Sequence, residues 1–269
     1  MPPRSLALLV PLLGLGALML RGGARASTSG SPCDEPAVLV IGDVHGCLAE
    51  LRRLLQQAAP RPGCDRVIFV GDLIGKGPDS ASVLRAVRDL NQTHAVESVL
   101  GNWEAGLLDA APPLASSRAA ALGLGPPDLA WLRARPLYVR LPPEFGGALV
   151  VHAGMEPGVP IGAQRRLTML KMRSLDAEGA PSKLPGRAGW AVSWKGPEHI
   201  IFGHDARRGL QREAFATGLD SGATYGHELS ALWVRRRLVA NATIGPTRLL
   251  QVSALNGSCK RPSVRGEAS

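Results

Sequence analysis

Asparagine is rare in this sequence: the 269 residues contain only four. Three of them, Asn91, Asn241 and Asn256, each begin an Asn-x-Ser/Thr sequon, the acceptor sequence for N-linked glycosylation. A chain in which nearly every asparagine is an acceptor is typical of a glycosylated protein of the secretory pathway. We therefore expect glycans at these three positions. The fourth, Asn102, lies in the segment VLGNWEAGL and needs a different explanation.

Cysteine is also infrequent, and none of the four cysteines forms a CxxC pair. This spacing argues against a zinc knuckle, while the number fits an oxidising compartment and allows three pairings. Cys33 and Cys64 each precede a predicted strand, whereas Cys47 follows one. Because the starts of parallel strands meet at one edge of a sheet, we expect a bridge among Cys33, Cys64 and Cys259 rather than one that uses Cys47.

The one long apolar run, Leu6 to Leu20, lies near the N-terminus and is short for a membrane span. It follows Arg4 and precedes Ala-Arg-Ala, which is the order of a secretory signal peptide over residues 1–26. We expect a secreted or luminal protein with no membrane span in the mature chain and a polar tail over 256–269. An uncleaved signal anchor and a mitochondrial presequence are the alternatives, because the segment contains arginine and no acidic residue.

Acidic residues are outnumbered, with 22 Asp and Glu against 31 Lys and Arg, which gives a formal net charge of +9. A basic balance favours anionic partners: nucleotides, phosphorylated molecules, nucleic acid or an anionic membrane. The arginines are spread along the chain, so solubility alone would also explain them. We expect no specific binding of nucleic acid.

Strand and helix patterns alternate along most of the chain. The apolar runs of AVLVIGDVHG and DRVIFVGDLIG end in polar turns, and LAELRRLLQQAA between them has leucines at helical spacing. This order predicts βαβ units, and the alternating final third predicts further strands. The Ala-, Pro- and Leu-rich stretch at about 110–136 indicates short helices and loops. We expect an α/β fold: one domain over 37–255, built as a sandwich of two sheets in four α-β-β-α layers.

Polar residues follow five of the predicted strands, in the segments GDVHG, GDLIGKGPDS, GNWE, VHAG and FGHDARRG. Any one of these segments alone would be explained by a turn or by a buried, hydrogen-bonded histidine. Together they supply oxygen and imidazole donors that suit two divalent ions such as Mn, Fe or Zn. The predicted ligands are Asp43, His45 and Asp72 for one ion, with Asp72 bridging to a second ion held by Asn102, His152 and His204.

The ordered motifs resemble the phosphoprotein-phosphatase branch of the metallophosphoesterases. Within it, GDLIGKGPDS, VHAG and FGHDARRGLQREAFATGLDSGATYG are most similar to the ApaH-like phosphatases, relatives of symmetrical bis(5'-nucleosyl)-tetraphosphatase. The resemblance covers about residues 37–255 and implies the same six metal ligands. It also implies catalytic roles for Asp72, Lys76 and Arg173, of which Lys76 replaces an arginine that contacts phosphate in the wider family. We also expect substrate contacts from Lys76 and Trp103 and from Arg207 and Tyr225, which lie in motifs near the site; surface charge and packing are the alternative explanations of the last two.

Two positions depart from the family pattern. The family has histidine where this chain has Trp103, and that histidine protonates or orients the leaving group. Indole cannot donate a proton in this way because its pKa is very high. Gly75 likewise replaces an aspartate that supports the histidine in the protein phosphatases, although the tetraphosphatase branch commonly lacks this acid too.

Three interpretations of Trp103 remain open. An active enzyme would cleave phosphoanhydrides, such as dinucleoside polyphosphates or nucleotides, whose leaving groups need little protonation; the indole could then stack on a purine. A metal-binding pseudophosphatase would use the site to recognise a ligand or partner. Trp103 could also be a packing residue, which is compatible with either function. A phosphatase acting on phosphoserine or phosphothreonine in proteins is the alternative activity.

Overall fold

The computed structural model describes residues 33–237, 243–255 and 259. The expected signal peptide over 1–26, the sequons at Asn241 and Asn256, and all of the expected tail except Cys259 lie outside these residues.

Six α-helices and twelve strands form in the described part of the chain. The helices are α1 (Leu48–Ala58), α2 (Ser80–Leu90), α3 (Asn102–Leu108), α4 (Pro112–Ala121), α5 (Pro126–Arg133) and α6 (Arg166–Lys171). The strands are β1 (Val38–Ile41), β2 (Arg66–Phe69), β3 (Ala95–Ser98), β4 (Tyr138–Arg140), β5 (Leu149–Val151), β6 (Ser174–Leu175), β7 (Pro181–Ser182), β8 (Ile200–Phe202), β9 (Gln211–Glu213), β10 (Ala216–Gly218), β11 (Glu228–Val234) and β12 (Thr247–Ser253).

The first helix forms where the leucine spacing predicts it, and the second has an apolar face of the same kind. In α1 the apolar face buries Leu51 and Leu54, and α2 buries Val83 in the same way. The start of α2 is fixed by Asp79, whose carboxylate accepts a hydrogen bond from the backbone N–H of Ser82 at 2.9 Å. Such a cap satisfies one of the free N–H groups of the first helical turn.

The first sheet has the order β12-β11-β1-β2-β3. Its β1, β2 and β3 strands are parallel, with Val38 opposite Arg66 and Ile41 opposite Phe69. These are the strands of the two βαβ units that contain α1 and α2. The sheet becomes antiparallel at β11 and β12, because β11 runs against β1 and β12 runs back against β11.

The second sheet has the order β4-β5-β8-β10-β9. Its three central strands are parallel, and the edge strands β4 and β9 pair antiparallel to their neighbours. Both sheets are therefore mixed, with a parallel part that carries its loops at the carboxyl ends of the strands. Binding sites of α/β proteins form at such ends.

Alternation along the strands divides the core into layers. In β1, Val38 and Val40 face the second sheet, where they pack in one cluster with Val150, whereas Leu39 and Ile41 pack against the helices on the other side. On the far face of the second sheet, buried residues meet α6 and a short 3₁₀ turn at Trp190–Ser193. The predicted α/β sandwich is confirmed, and its fourth layer is short because α6 has only six residues.

The predicted disulfide pairing is wrong. Cys47 is bonded to Cys259, with 5.0 Å between their Cα atoms, and Cys33 and Cys64 are free thiols. The error comes from the direction of the last strand. Because β12 runs parallel to β1, the chain leaves β12 at the edge where β1 ends, and Cys47 lies at that edge. Cys33 and Cys64 do lie together at the opposite edge, where their thiols contact each other.

Among the described residues, no helix is long and apolar enough to cross a membrane. The sequon residue Asn91 is exposed and follows the last residue of α2, where its side-chain oxygen accepts a hydrogen bond from the N–H of Val96 at 3.2 Å.

Candidate metal centre

The six residues predicted as metal ligands all follow strands of the two parallel regions. They are, in chain order, Asp43 and His45 after β1, Asp72 after β2, Asn102 after β3, His152 after β5 and His204 after β8. The carboxyl ends of both sheets meet here, so residues far apart in the sequence come into contact. The structure brings all six together in one buried cluster and leaves none of them elsewhere.

The backbone around this cluster is conformationally unusual. Of the five non-glycine residues with positive φ in the described part of the chain, four belong to the site: His45 at 49°, Asp72 at 51°, Lys76 at 29° and His204 at 68°. The fifth, Ala59, ends α1. Residues other than glycine seldom adopt a positive φ. The resulting backbone strain persists only where surrounding contacts hold the residue in place. The concentration of strained residues at the strand ends is typical of a functional site.

The first group of donors consists of Asp43, His45 and Asp72, whose ligand atoms lie within 4.8 Å of one another. Nδ1 of His45 is 2.9 Å from the carbonyl oxygen of Ile74, which leaves Nε2 facing Asp72 at 3.3 Å. A hydrogen bond to one ring nitrogen fixes the tautomer and orientation of a histidine ligand. Nζ of Lys76 lies 2.9 Å from the same Nε2.

The second group consists of Asp72, His152 and His204, again within 4.8 Å. Oδ1 of Asn102 lies between the two imidazoles, 3.0 Å from Nε2 of His152 and 2.8 Å from Nδ1 of His204. Nδ1 of His152 is 2.9 Å from the carbonyl oxygen of Val70, which orients that ring from behind. Asp72 belongs to both groups and is the residue through which they join.

Burial controls the protonation of these residues. It lowers the pKa of His152 to about 4 and that of His204 to about 2, and it lowers the pKa of His45 well below its ordinary value. All three imidazoles are therefore neutral at pH 7 and can act as ligands. Burial also raises the pKa of Asp72 to about 7 and that of Asp43 well above its ordinary value. Buried carboxylates with raised pKa values are stabilised in their charged form by a nearby cation.

The donor set fits divalent metal ions. The ligand atoms of Asp72, His152 and His204 converge within 4.8 Å of one another, and Oδ1 of Asn102 lies against both imidazoles. A buried cluster of oxygen and imidazole donors arranged in this way could hold a metal ion. Two carboxylates, an amide oxygen and three neutral imidazoles suit Mn, Fe or Zn rather than Ca or Mg, which prefer oxygen alone.

Glu104 organises the loop that carries Asp72, and the sequence interpretation assigned it no role. It is fully buried, and its carboxylate accepts hydrogen bonds from three backbone N–H groups: Gly101 and Asp72 at 3.0 Å and Ile74 at 3.1 Å. These bonds join the start of α3 to the loop after β2. The sequence signal was an acidic residue in the first turn of a helix that begins at a ligand, which is also the pattern of an ordinary cap.

A cationic cleft of about 390 Å³ opens from the cluster, between the loops after β2 and β8. The residues expected to contact phosphate lie here; the lining includes Lys76, Arg173, His204, Arg207 and Tyr225. The guanidinium of Arg173 donates to the carbonyl oxygen of His204 at 3.3 Å, which holds it beside the cluster. Nζ of Lys76 lies 5.1 Å from the ring centre of the exposed Tyr225. The cleft therefore combines three positive side chains with an aromatic wall.

Arg208, the neighbour of Arg207, has a different role. Its guanidinium pairs with the carboxylate of the buried Asp205 and donates to the backbone carbonyls of Pro185 and Gly186. It connects the loop after β8 to the segment that follows β7. Of the two adjacent arginines, only Arg207 lines the cleft.

Trp103 lies at the edge of the cluster and is only partly covered, with 38% of its surface exposed. Its backbone N–H donates to Oδ1 of Asp72 at 2.9 Å, so the residue helps to orient the shared ligand through its main chain. Its ring meets that of His45 edge-on, with 5.7 Å between the ring centres. A residue exposed to this extent beside the ligands is not a core packing residue.

Comparison with known proteins agrees with this architecture. Residues 36–214 match the family model of the calcineurin-like phosphoesterases. The chain is 30% identical over 272 residues to symmetrical bis(5'-nucleosyl)-tetraphosphatase of Aromatoleum aromaticum, an alignment that covers 78% of this chain and 97% of that protein. It is 41% identical over 128 residues to the protein of the same name from Methylococcus capsulatus, covering 45% of this chain and 44% of the other.

Solved structures give the same result for the fold. A crystal structure of a proposed diadenosine tetraphosphatase has a TM-score of 0.70 and 35% identity, and the alignment covers 82% of this chain and 95% of the other. A serine/threonine phosphatase of Saccharomyces cerevisiae has a TM-score of 0.58 with 14% identity, covering 85% and 82%, a likeness of fold alone. The chain belongs to the calcineurin-like phosphoesterase family, and its resemblance to the symmetrical bis(5'-nucleosyl)-tetraphosphatase branch is confirmed.

Proposed function

We propose that this protein is a metal-dependent hydrolase of phosphoanhydrides, with dinucleoside polyphosphates or related nucleotides as substrates. The observation that carries the proposal is the complete ligand cluster joined at Asp72, next to a tryptophan where a proton donor would be expected. The relatives named as tetraphosphatases support the substrate class.

Two ions would be held, one by Asp43, His45 and Asp72, and the other by Asp72 with three further residues: Asn102, His152 and His204. When bound, such ions acidify a shared water and neutralise charge on phosphoryl oxygens. We propose Mn, Fe or Zn for both positions from the mixture of oxygen and imidazole donors.

The chain's own residues would bind and orient the phosphate groups. Lys76, Arg173 and Arg207 line one cleft and can neutralise a chain of phosphates. Lys76 carries a point charge and cannot form the two parallel hydrogen bonds of an arginine, so the orienting role falls to the guanidinium groups. The reaction adds water across one P–O–P link: a new P–O bond forms, and the bridging oxygen leaves with the bond pair as a nucleotide phosphate.

The leaving group decides between anhydride and ester substrates. A departing nucleotide phosphate is a weak base, with a second pKa of about 6, and leaves without receiving a proton. A serine alkoxide is far more basic and needs a proton donor, which typically contributes about 10²–10⁴-fold to the rate. Trp103 supplies no such donor. The site therefore favours phosphoanhydrides over phosphoproteins.

The test compares the wild-type protein loaded with Mn on diadenosine tetraphosphate and on a phosphoserine peptide. We expect faster turnover of the tetraphosphate and loss of turnover in Asp72→Asn, with metal content measured by elemental analysis in both proteins. Faster turnover of the peptide would overturn the substrate class. An absence of turnover on every phosphate substrate, with about two ions bound as expected for a dinuclear site, would instead identify a pseudophosphatase.

We also propose a luminal or secreted location. The Cys47–Cys259 bridge supports it, because structural disulfides form and persist in oxidising compartments. The exposed Asn91 is accessible to a glycosyltransferase. Treatment of the protein from its native cells with an N-glycosidase should increase its electrophoretic mobility. An unchanged mobility, together with import into mitochondria, would support the presequence alternative.

A further inference from the structure

A second cavity, of about 330 Å³, lies beside the candidate metal-binding cluster. It is formed between α3 and α4. Its lining is Trp103, Gly106 and Leu107 from α3 with Arg118, Ala121 and Leu122 from the end of α4 and the turn after it. Its volume lies within the range of pockets that bind small organic molecules.

This cavity is continuous with the ligand cluster. Asn102 lines it and at the same time places its Oδ1 within 3.0 Å of both His152 and His204. Trp103, the next residue, forms one wall of the cavity while the edge of its ring meets His45. A ligand in the cavity would therefore lie next to the candidate metal ligands.

The lining is suited to a flat, weakly polar ring. The indole of Trp103 offers an aromatic face, and Leu107 and Leu122 offer apolar contacts. At the rim, the guanidinium of Arg118 donates to the carbonyl oxygen of Gly106 at 3.5 Å, and no described carboxylate forms an ion pair with it. A guanidinium that has no carboxylate partner can stack on an aromatic base or bind an oxygen of its sugar or phosphate. Among the residues that the structure describes, no acidic side chain lines the cavity to repel a nucleotide.

We propose that the cavity between α3 and α4 is a nucleoside subsite, in which a purine base of the substrate stacks on Trp103 while its phosphates extend across the ligand cluster toward the cationic cleft. This rests on the proposed function, because it names where one nucleoside half of the phosphoanhydride binds. In this proposal Trp103 determines substrate specificity, at the position where the family has a proton-donating histidine. Arg118 and Ala121 become additional substrate contacts.

Adjacent alanines on α4 provide a matched test. Ala121 lines the cavity, whereas Ala120 is exposed and does not. Ala121→Leu should fill the space for the base without touching a metal ligand, and Ala120→Leu adds the same side chain to the same helix. Thermal melting would verify that both variants are folded. Gly106→Leu is a second filling variant, because a Cβ at that position meets no atom within 4 Å.

The readouts are the KM for diadenosine tetraphosphate, the kcat/KM for inorganic tripolyphosphate and the Kd for ADP by calorimetry. We expect Ala121→Leu to raise the KM for diadenosine tetraphosphate and the Kd for ADP by about tenfold or more, because one stacked base contributes that much binding free energy. Turnover of tripolyphosphate, which has no base, should stay within about twofold of wild type on the same reasoning. Ala120→Leu should match wild type in all three measurements.

The results separate this subsite from the proposed function. Equal losses on tripolyphosphate and on the tetraphosphate, or an unchanged Kd for ADP, would overturn the subsite while leaving the hydrolase intact. A rise in KM confined to the phosphoserine peptide would mean that the cavity takes a protein side chain and would also overturn it. If the wild type hydrolysed neither anhydride, the proposed function would fail, and the Kd for ADP in the two alanine variants would still decide the subsite.

Discussion

The indole of Trp103 lies on the backbone of Gly75. A Cβ added at Gly75 would come within 2.3 Å of Cε3 of the indole, closer than real Cβ atoms approach another atom. Gly75 also has a φ of +91°, a region that favours glycine. The two departures from the family pattern are therefore one steric unit: the tryptophan occupies the space that an aspartate side chain would take.

The contact between Trp103 and Gly75 predicts that substitutions at these two positions have non-additive effects on stability. Gly75→Asp alone should destabilise the protein by about 1–3 kcal/mol, the usual range for forcing extra atoms into occupied space. Trp103→His should remove the clash, so that the double variant is more stable than Gly75→Asp. Chemical denaturation of the four proteins in a double-mutant cycle gives the coupling directly. Additive changes would mean that the indole moves aside and that the two positions are independent.

Trp103→His also predicts a change of substrate preference. Restoring a group that can donate a proton should raise turnover of the phosphoserine peptide, by up to about 10²–10⁴-fold. The gain on diadenosine tetraphosphate should be smaller or absent, because its leaving group departs unprotonated. Trp103→Phe is the control, since it removes the indole and adds no donor. Similar gains in both variants would attribute the effect to lost bulk rather than to proton donation.

Glu104→Gln should loosen the loop that carries Asp72. The carboxylate accepts three backbone N–H bonds with its two oxygens, whereas an amide has one oxygen and would direct its NH₂ at a donor. We expect a loss of about 1–3 kcal/mol of stability, the cost of an unsatisfied buried donor. Retained metal after dialysis should also fall, measured by elemental analysis. The exposed Glu178→Gln is the matched control and should change neither quantity.

A buried histidine away from the metal ligands predicts how stability depends on pH. Nε2 of His199 is 2.9 Å from the hydroxyl of Thr217, Nδ1 has no partner in the described structure, and burial lowers the pKa of His199 to about 4. The native state therefore favours the neutral ring. The neutral ring contributes its full stabilisation of the native state above about pH 6.5, the pKa of histidine in the unfolded chain. This stabilisation is lost as the pH falls from there toward 4.

Because of this shift, the free energy of unfolding should be about 2 kcal/mol lower at pH 5 than at pH 7. His199→Phe keeps a ring in the site and removes the titration, so its stability should fall less between these two pH values. Urea denaturation of wild type and variant at pH 7 and pH 5 measures the difference. Identical losses would show that other groups determine the acid sensitivity.

Much of the site could be predicted because it follows from one local rule repeated five times. Apolar runs such as VLVI predict buried strands, and the parallel strands they form end at one edge, so Asp43 and Asp72 had to meet there. The alternation of strands and helices thus predicts both the fold and the edge at which the candidate ligands meet. Asp79 was likewise predictable, because a cap depends only on its own helix.

Features that depend on contacts distant in the sequence were not predictable. The partner of Cys47 depended on the direction of β12, which the local pattern of that strand does not reveal. The cavity beside Trp103 depends on how α4 packs on α3, and the Ala- and Pro-rich sequence of α4 has no apolar face that would indicate it. Glu104 resembled an ordinary helix cap until its bonds to Asp72 and Ile74 were visible.

The bridge between Cys47 and Cys259 spans 212 positions and ends two residues from His45, a candidate metal ligand. Cys47 leaves the ribosome early, and Cys259 emerges only after both sheets have been synthesised. The bond can therefore close only on a chain that has been translated through β12, and a prematurely terminated chain retains an unpaired thiol beside its metal-binding loop.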